Sequence, residues 1–252
     1  MYSTLYLVRH GQTVFNTRLL IQGRCDSPLT ELGREQARAA AAWLHARDVR
    51  FDAAFSSPAE RACGTMELLW AGSYTRLAGL RERSFGDLEG TDVLALPKPM
   101  GDYPAQFGGE PQDELEARLV QTMRSIMIGE AGGIPGRTDE PIDPCALRPA
   151  VTGNVEPIAD DANPVSGASG STTAAAHFGE DAAFSTGGNV LVVSHGAACK
   201  AFAHAQEVNA RVEVPSPFPN CCILVYAFDG ECFELIEAAD PAAHLGGEGL
   251  PI

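Results

Sequence analysis

The chain has 252 residues and a formal net charge of -15, enough length for a substantial core in one domain. So acidic a chain lacks the basic face that nucleic acid or an anionic membrane requires, so neither is expected as a partner. A small phosphorylated substrate needs only a local cluster of arginines and stays open, as does a homo-oligomer. Seven cysteines in no zinc or C-x-x-C spacing favour reduced thiols. Only residues 1–4 precede the first apolar run and no run approaches the ~20 residues of a membrane span, so a soluble cytoplasmic protein without signal peptide is expected.

In chain order, Leu5 to Val8 is a continuous apolar run that stops at Arg9-His10-Gly11, as expected of a strand covered on both faces. Thr30 can cap a helix with Leu32, Gln36, Ala39, Ala40 and Trp43 on one stripe, ending near Ala46. Ala53 to Ser56 is the second strand. Ser57-Pro58-Ala59-Glu60 then has the pattern of a capping box with proline at the first helical position, which puts Arg61 in the opening turn of the next helix. Thr75 to Leu77 is extended. Pro111 starts a helix with Leu115, Leu119, Met123 and Ile126 on one face. Val190 to Val193 repeats the first pattern and stops at Ser194-His195-Gly196, ahead of a helix from Ala197 to about Glu207. Cys222 to Phe228 and Cys232 to Ile236 read as a final hairpin, with the cysteines packed rather than reactive.

Strands alternating with helices indicate an α/β sandwich of three layers with a mainly parallel sheet. One stretch falls outside that pattern. From about 129 to 188 the chain is rich in Gly, Pro, Ala, Ser, Thr and Asp and carries nine acidic residues against two arginines, a composition that reads as a low-complexity acidic insertion within a single domain spanning 1–252.

Arg9 and His10, Ser57 to Arg61, and Ser194-His195 all leave the ends of strands. In open α/β sheets such groups converge on one crevice, where helix amino ends add N–H donors. Two histidines and two arginines there suit a phosphate. Metal-free phosphoryl transfer also needs an acid for the leaving group; Glu82 is the first choice, with Glu89 and Glu110 as competitors.

The motif Arg9-His10-Gly11-Gln12-Thr13 with Asn16 resembles the signature of the histidine phosphatase superfamily in its phosphoglycerate-mutase-like branch. Further matches follow in order: Gln22-Gly23 with Asp26, Pro28-Leu29-Thr30 and Gly33; Ser57-Pro58 with Arg61; Glu82 with Phe85-Gly86 and Glu89-Gly90; Gly109-Glu110; and Ser194-His195-Gly196. They cover roughly 3–128 and 189–228. The resemblance implies a phosphoglycerate-mutase-like fold, no cofactor and no metal. It implies that His10 is the nucleophile, that Arg9, Arg61 and His195 bind the phosphoryl oxygens and that Glu82 is the acid. Asn16, Gln22, Gly23 and Gly196 would line the substrate site, with Arg83 and Glu110 at its rim. Pro111 departs from the small polar residue that follows this glutamate in many relatives.

The leading expectation is a phosphomonoester hydrolase acting through phosphohistidine on a small phosphorylated metabolite. A phosphoglycerate mutase would use the same residues; the segment Gln22 to Thr30 resembles phosphatase members more, because mutases carry an aromatic after the glycine and lack this proline. A zinc hydrolase using His10 and His195 is disfavoured by Arg9, which repels a cation. A catalytically silent binding module is the remaining alternative.

Overall fold

The computed structural model describes residues 3–131, 134–135 and 188–246; most of the insertion expected at 129–188 lies outside them. The strands are β1 (Ser3–Arg9), β2 (Ala53–Ser56), β3 (Thr75–Arg76), β4 (Ile134–Pro135), β5 (Asn189–Ser194), β6 (Ile223–Phe228) and β7 (Phe233–Ala239). The helices are α1 (Val14–Thr17), α2 (Glu31–Ala46), α3 (Glu60–Leu69), α4 (Gln112–Met127) and α5 (Gly196–Ala205), with short 3₁₀ turns between them.

The strands form one sheet in the order β4-β3-β2-β5-β1-β6-β7. Its centre, β3-β2-β5-β1, is parallel, and the flanking pairs β3-β4, β1-β6 and β6-β7 are antiparallel. Side-chain alternation divides each central strand between two cores. Leu5, Leu7, Val190, Val192, Leu224 and Tyr226 pack against α4 and α5, whose Leu115, Leu119, Met123 and Phe202 meet them. Val8, Leu191, Val193, Ile223 and Val225 face the other way, onto Ala37, Ala40 and Leu44 of α2 and Ala62 and Met66 of α3. This is the expected three-layer sandwich. The apolar runs 5–8 and 190–193 are continuous because both faces of those strands are covered.

A third, smaller cluster of Ile21, Phe85, Leu88 and Val93 is drawn from the loops outside the sheet, with Leu19, Leu96, Met100 and Tyr103 packed against it.

Helix starts divide into local and non-local solutions. Thr30 caps α2 as its sequence indicates, accepting from the Gly33 amide at 3.0 Å. At α3 the capping-box expectation is wrong: the helix begins at Glu60 with Ala59 at the cap position and no cap from its own segment. Ser57 Oγ is drawn instead to His195 Nε2 at 2.7 Å, and the Glu60 amide donates to the Asp26 carboxylate from a distant loop. The cysteines divide too. Cys63, Cys199, Cys221, Cys222 and Cys232 are free thiols, whereas Cys25 is disulfide-bonded, against the expectation of reduced thiols throughout.

The loop after β1 is locked onto the start of α2 through two glycines. A Cβ on Gly33 would lie 2.1 Å from the Gln12 carbonyl oxygen, and one on Gly11 would lie 2.3 Å from the Gly33 carbonyl oxygen. No side chain can relieve a clash with backbone, so the loop itself would have to move. Gly33→Ala is therefore expected to destabilise the protein by about 1–3 kcal/mol and to displace His10; thermal unfolding and binding of inorganic phosphate, compared with wild type, check both effects.

Candidate active site

The parallel strands β2, β5 and β1 are neighbours in the sheet, so whatever leaves their carboxyl ends meets. His10 follows β1, His195 follows β5, and Ser57 and Arg61 follow β2. The His10 amide donates to the Ser194 carbonyl at 3.0 Å, and the two imidazole rings lie edge to face with centroids 5.2 Å apart. Arg9, His10, Arg61 and His195 are all buried, each 3% exposed or less. Glu82 arrives from the segment after β3 and is buried beside them.

Each group is held by backbone. His10 Nδ1 donates to its neighbour's carbonyl, Gly11 O, at 2.7 Å; an acceptor there fixes the proton on Nδ1 and leaves the Nε2 lone pair available. The Asn220 amide holds the His10 carbonyl at 3.0 Å and reaches Asn16 Oδ1 at 3.4 Å. Arg9 donates to the Phe218 carbonyl, and a Cβ on residue 196 would lie 3.2 Å from Arg9 Nε, so Gly196 lets the guanidinium lie flat against the start of α5. Arg61 donates to the carbonyls of Cys25 and Gly23, both at 2.9 Å, and to Asp26 Oδ1 at 3.0 Å.

After these bonds, four buried donors of the site keep no protein partner among the described residues: Arg9 Nε, Arg61 Nε, Gln22 Nε2 and His195 Nδ1. Buried polar groups are rarely left so, and their clustering marks a place for an acceptor-rich ligand. Burial, and then the positive fields of Arg61 and Arg9, push the His10 pKa well below the ordinary histidine value; burial, Arg61 and His10 do the same to His195. Both rings are neutral at physiological pH. Two imidazoles beside two guanidiniums would repel a metal ion and attract an anion.

The helix amino ends do not contribute the free N–H groups expected of them. Glu82 accepts from the Ala197 and Ala198 amides at the start of α5, at 3.1 and 2.8 Å, and from the Arg83 amide at 2.9 Å. Asp26 occupies the start of α3. Anion affinity in the pocket therefore rests on side chains.

The pocket is lined by Arg9, His10, Asn16, Gln22, Gly23, Glu82 and Gly196, with Leu20, Ile21, Phe85 and Val93 as an apolar wall. Arg83 and Glu110 lie elsewhere. Arg83 turns to the Glu110 carbonyl at 2.8 Å, to Gln112 at 3.2 Å and to Asp102 at 3.5 Å. Glu110 holds Arg118 with both oxygens, at 2.7 and 2.8 Å. Glu89, a competitor for the acid, is committed to backbone: it accepts from the Arg24, Cys25 and Phe85 amides at 2.9–3.0 Å. It sits directly under Gly23, whose φ of +55° leaves no room for a Cβ there.

The model of the histidine phosphatase superfamily (branch 1) matches residues 5–132. The chain belongs to the histidine phosphatase superfamily. It is 43% identical over 151 residues to the 2,3-bisphosphoglycerate-dependent phosphoglycerate mutase of Methylorubrum populi, covering 52% of this chain and 71% of that protein. It is 30% identical over 220 residues to fructose-2,6-bisphosphatase TIGAR of Xenopus tropicalis, covering 77% of this chain and 71% of that protein. The fold is also that of a phosphoglycerate mutase from Bacillus anthracis, with a TM-score of 0.64 at 21% identity over 97% of this chain and 95% of that one.

Within this member of the superfamily, sequence reasoning assigned no role to Ser57 on His195, Asn220 on His10, Asp26 on Arg61 or Glu89 under Gly23. Asp26, Ser57 and Glu89 carried a signal, since all three stand inside the quoted motifs; Asn220 carried none.

Two outcomes follow from the geometry. Removing Glu89 takes an acceptor from two amides of the loop that carries Arg61's acceptors, those of Arg24 and Cys25, and from the Phe85 amide, so Glu89→Ala should lower stability by about 1–3 kcal/mol and weaken phosphate binding; Glu89→Gln, which keeps one acceptor oxygen, should restore part of both in calorimetry. Because folded His10 and His195 resist protonation, the unfolded chain binds more protons as pH falls below the ordinary value of 6.5. Stability should then fall by up to about 1.4 kcal/mol per pH unit for each histidine. Thermal unfolding from pH 7.5 to 5.5 should show this decline, and a His10→Gln, His195→Gln double variant a shallower one.

Proposed function

We propose that this chain is a metal-independent phosphomonoester hydrolase that works through a phosphohistidine on a small phosphorylated metabolite. The observation that carries this reading is His10: neutral, with its Nδ1 proton committed to Gly11 O and its Nε2 lone pair free, beside buried donors of Arg9, Arg61 and His195 that lack protein partners. In the first step Nε2 attacks phosphorus, the bond from phosphorus to the ester oxygen breaks, and that oxygen takes a proton from the Glu82 carboxyl group. In the second, water attacks phosphorus, gives its proton to the Glu82 carboxylate, and the P–N bond breaks to return neutral His10. Ser57, donating to His195 Nε2, sets the tautomer with a proton on Nδ1, so that His195 donates to a phosphoryl oxygen without carrying charge. Arg9 and Arg61 supply fixed charge where the oxygens gather negative charge in the transition state.

A mutase reading draws on the 43% identity to a phosphoglycerate mutase. It needs the same first step and differs only in whether the phosphoryl group passes to water or back to a bound substrate. Arg24, at the position after Gly23, supports hydrolysis, because the mutases carry an aromatic there.

A panel of phosphorylated metabolites, including 3-phosphoglycerate with its bisphosphate activator, tests both. The expected result is release of inorganic phosphate that chelators do not inhibit, acid-labile phosphate on His10, no turnover by His10→Ala, and kcat lower by about 10²–10⁴-fold in Glu82→Gln. Isomerisation of 3-phosphoglycerate without phosphate release would establish the mutase instead.

A further inference from the structure

We infer that Arg24 selects substrates by holding a second anionic group, a carboxylate or a phosphate, at the mouth of the pocket. The inference rests on the hydrolase reading and adds to it a substrate class: phosphomonoesters with another negative charge on the leaving group.

Arg24 follows Gly23, which lines the pocket, and its own amide is clamped by Glu89 at 2.9 Å, so the base of the side chain is fixed. The guanidinium is about one third exposed, with a side-chain exposure of 35%. Among the described residues it makes no hydrogen bond, and its ion pair is with Glu110 at 3.8 Å. That carboxylate is already engaged by Arg118 through both oxygens. One negative charge thus stands against two guanidiniums. Arg118 is the committed one, because its remaining nitrogen donates to the carbonyls of Gly79 and Arg81 at 2.7 and 3.0 Å. Arg83 is buried and turned to Glu110, Gln112 and Asp102. Of the three, Arg24 is the most exposed and is the one whose guanidinium makes no hydrogen bond among the described residues, in a planar array that matches a carboxylate or a phosphate.

The residues on either side of Arg24, Gly23 and Cys25, give their carbonyls to Arg61, so the side chain springs from the loop that holds the phosphate-facing guanidinium. The pocket beside that loop has an apolar wall of Leu20, Ile21, Phe85 and Val93. A leaving group laid between them meets carbon on one side and a cation on the other.

The test compares substrate pairs that differ only in a carboxylate for a hydroxymethyl group: 3-phosphoglycerate with glycerol 3-phosphate, and, for longer reach, 6-phosphogluconate with glucitol 6-phosphate. Phosphate release gives kcat/KM for wild type, Arg24→Ala and Arg24→Lys, with phenyl phosphate as a common reference. Wild type is expected to favour the carboxylate member of at least one pair. Arg24→Ala should reduce that preference about tenfold or more, through KM, and Arg24→Lys should restore part of it. No preference in wild type for either pair, or a preference that survives Arg24→Ala, overturns the inference while leaving the hydrolase reading intact. Failure of wild type to turn over any ester, phenyl phosphate included, overturns both.

Discussion

Two guanidinium groups buried beside two imidazoles are the constraint on which the rest of this site depends. Charges so removed from water are tolerated only where hydrogen bonds replace their hydration. Arg61 gets two carbonyls and one carboxylate; Arg9 gets the Phe218 carbonyl and the edge of α5. Neither is fully satisfied. Burial, and then their cationic field, keep the histidines from protonating, and the same field favours an anion in the pocket. On the proposed reading, nucleophile and binding site are products of one electrostatic arrangement.

Carboxylates near the site serve this arrangement in graded ways. Asp26 joins Arg61 to the start of α3, Glu89 ties the loop of Arg24 and Cys25 to the turn at Phe85, and Glu110 holds Arg118. These three are spent on the frame. Glu82 is also anchored, by three amides, but it remains part of the pocket lining. A carboxylate held by backbone at the start of a helix cannot swing, so its place in the pocket is set by the fold and not by a rotamer. On the proposed reading that fixes the acid relative to the ester oxygen, as proximity catalysis requires.

The sandwich was legible because its signals are local. The runs 5–8 and 190–193 announce strands covered on both faces, and Thr30 caps α2 from one residue away. Arg9, His10, Arg61 and His195 were legible because each stands at or shortly after the end of a strand, and strand adjacency brings them together. What was not legible depends on partners distant in sequence. Ser57 satisfies every local criterion for a capping box, yet His195, 138 residues later, takes its hydroxyl, and Asp26 takes its place at α3. Arg83 and Glu110 stand at motif positions, but their side chains are claimed by each other's segment and by Arg118. Charged residues in loops have many possible partners, and one sequence does not rank them.

This difference also separates chemistry from specificity. On the proposed reading, the groups that act on phosphorus come from the ends of three adjacent parallel strands, whose spacing the sheet ladder fixes. Those that would meet the rest of the substrate come from the loops 16–26 and 82–93, which are tied together through Glu89, Asp26 and a small apolar cluster. A change of residue 24 would move no bond that orients His10, since the amide of that residue, and not its side chain, holds the loop to Glu89. On the proposed reading the backbone of the loop belongs to the phosphate site and its side chains to the leaving group. Relatives that share the first can differ in the second, as a mutase and a bisphosphatase among this chain's relatives do.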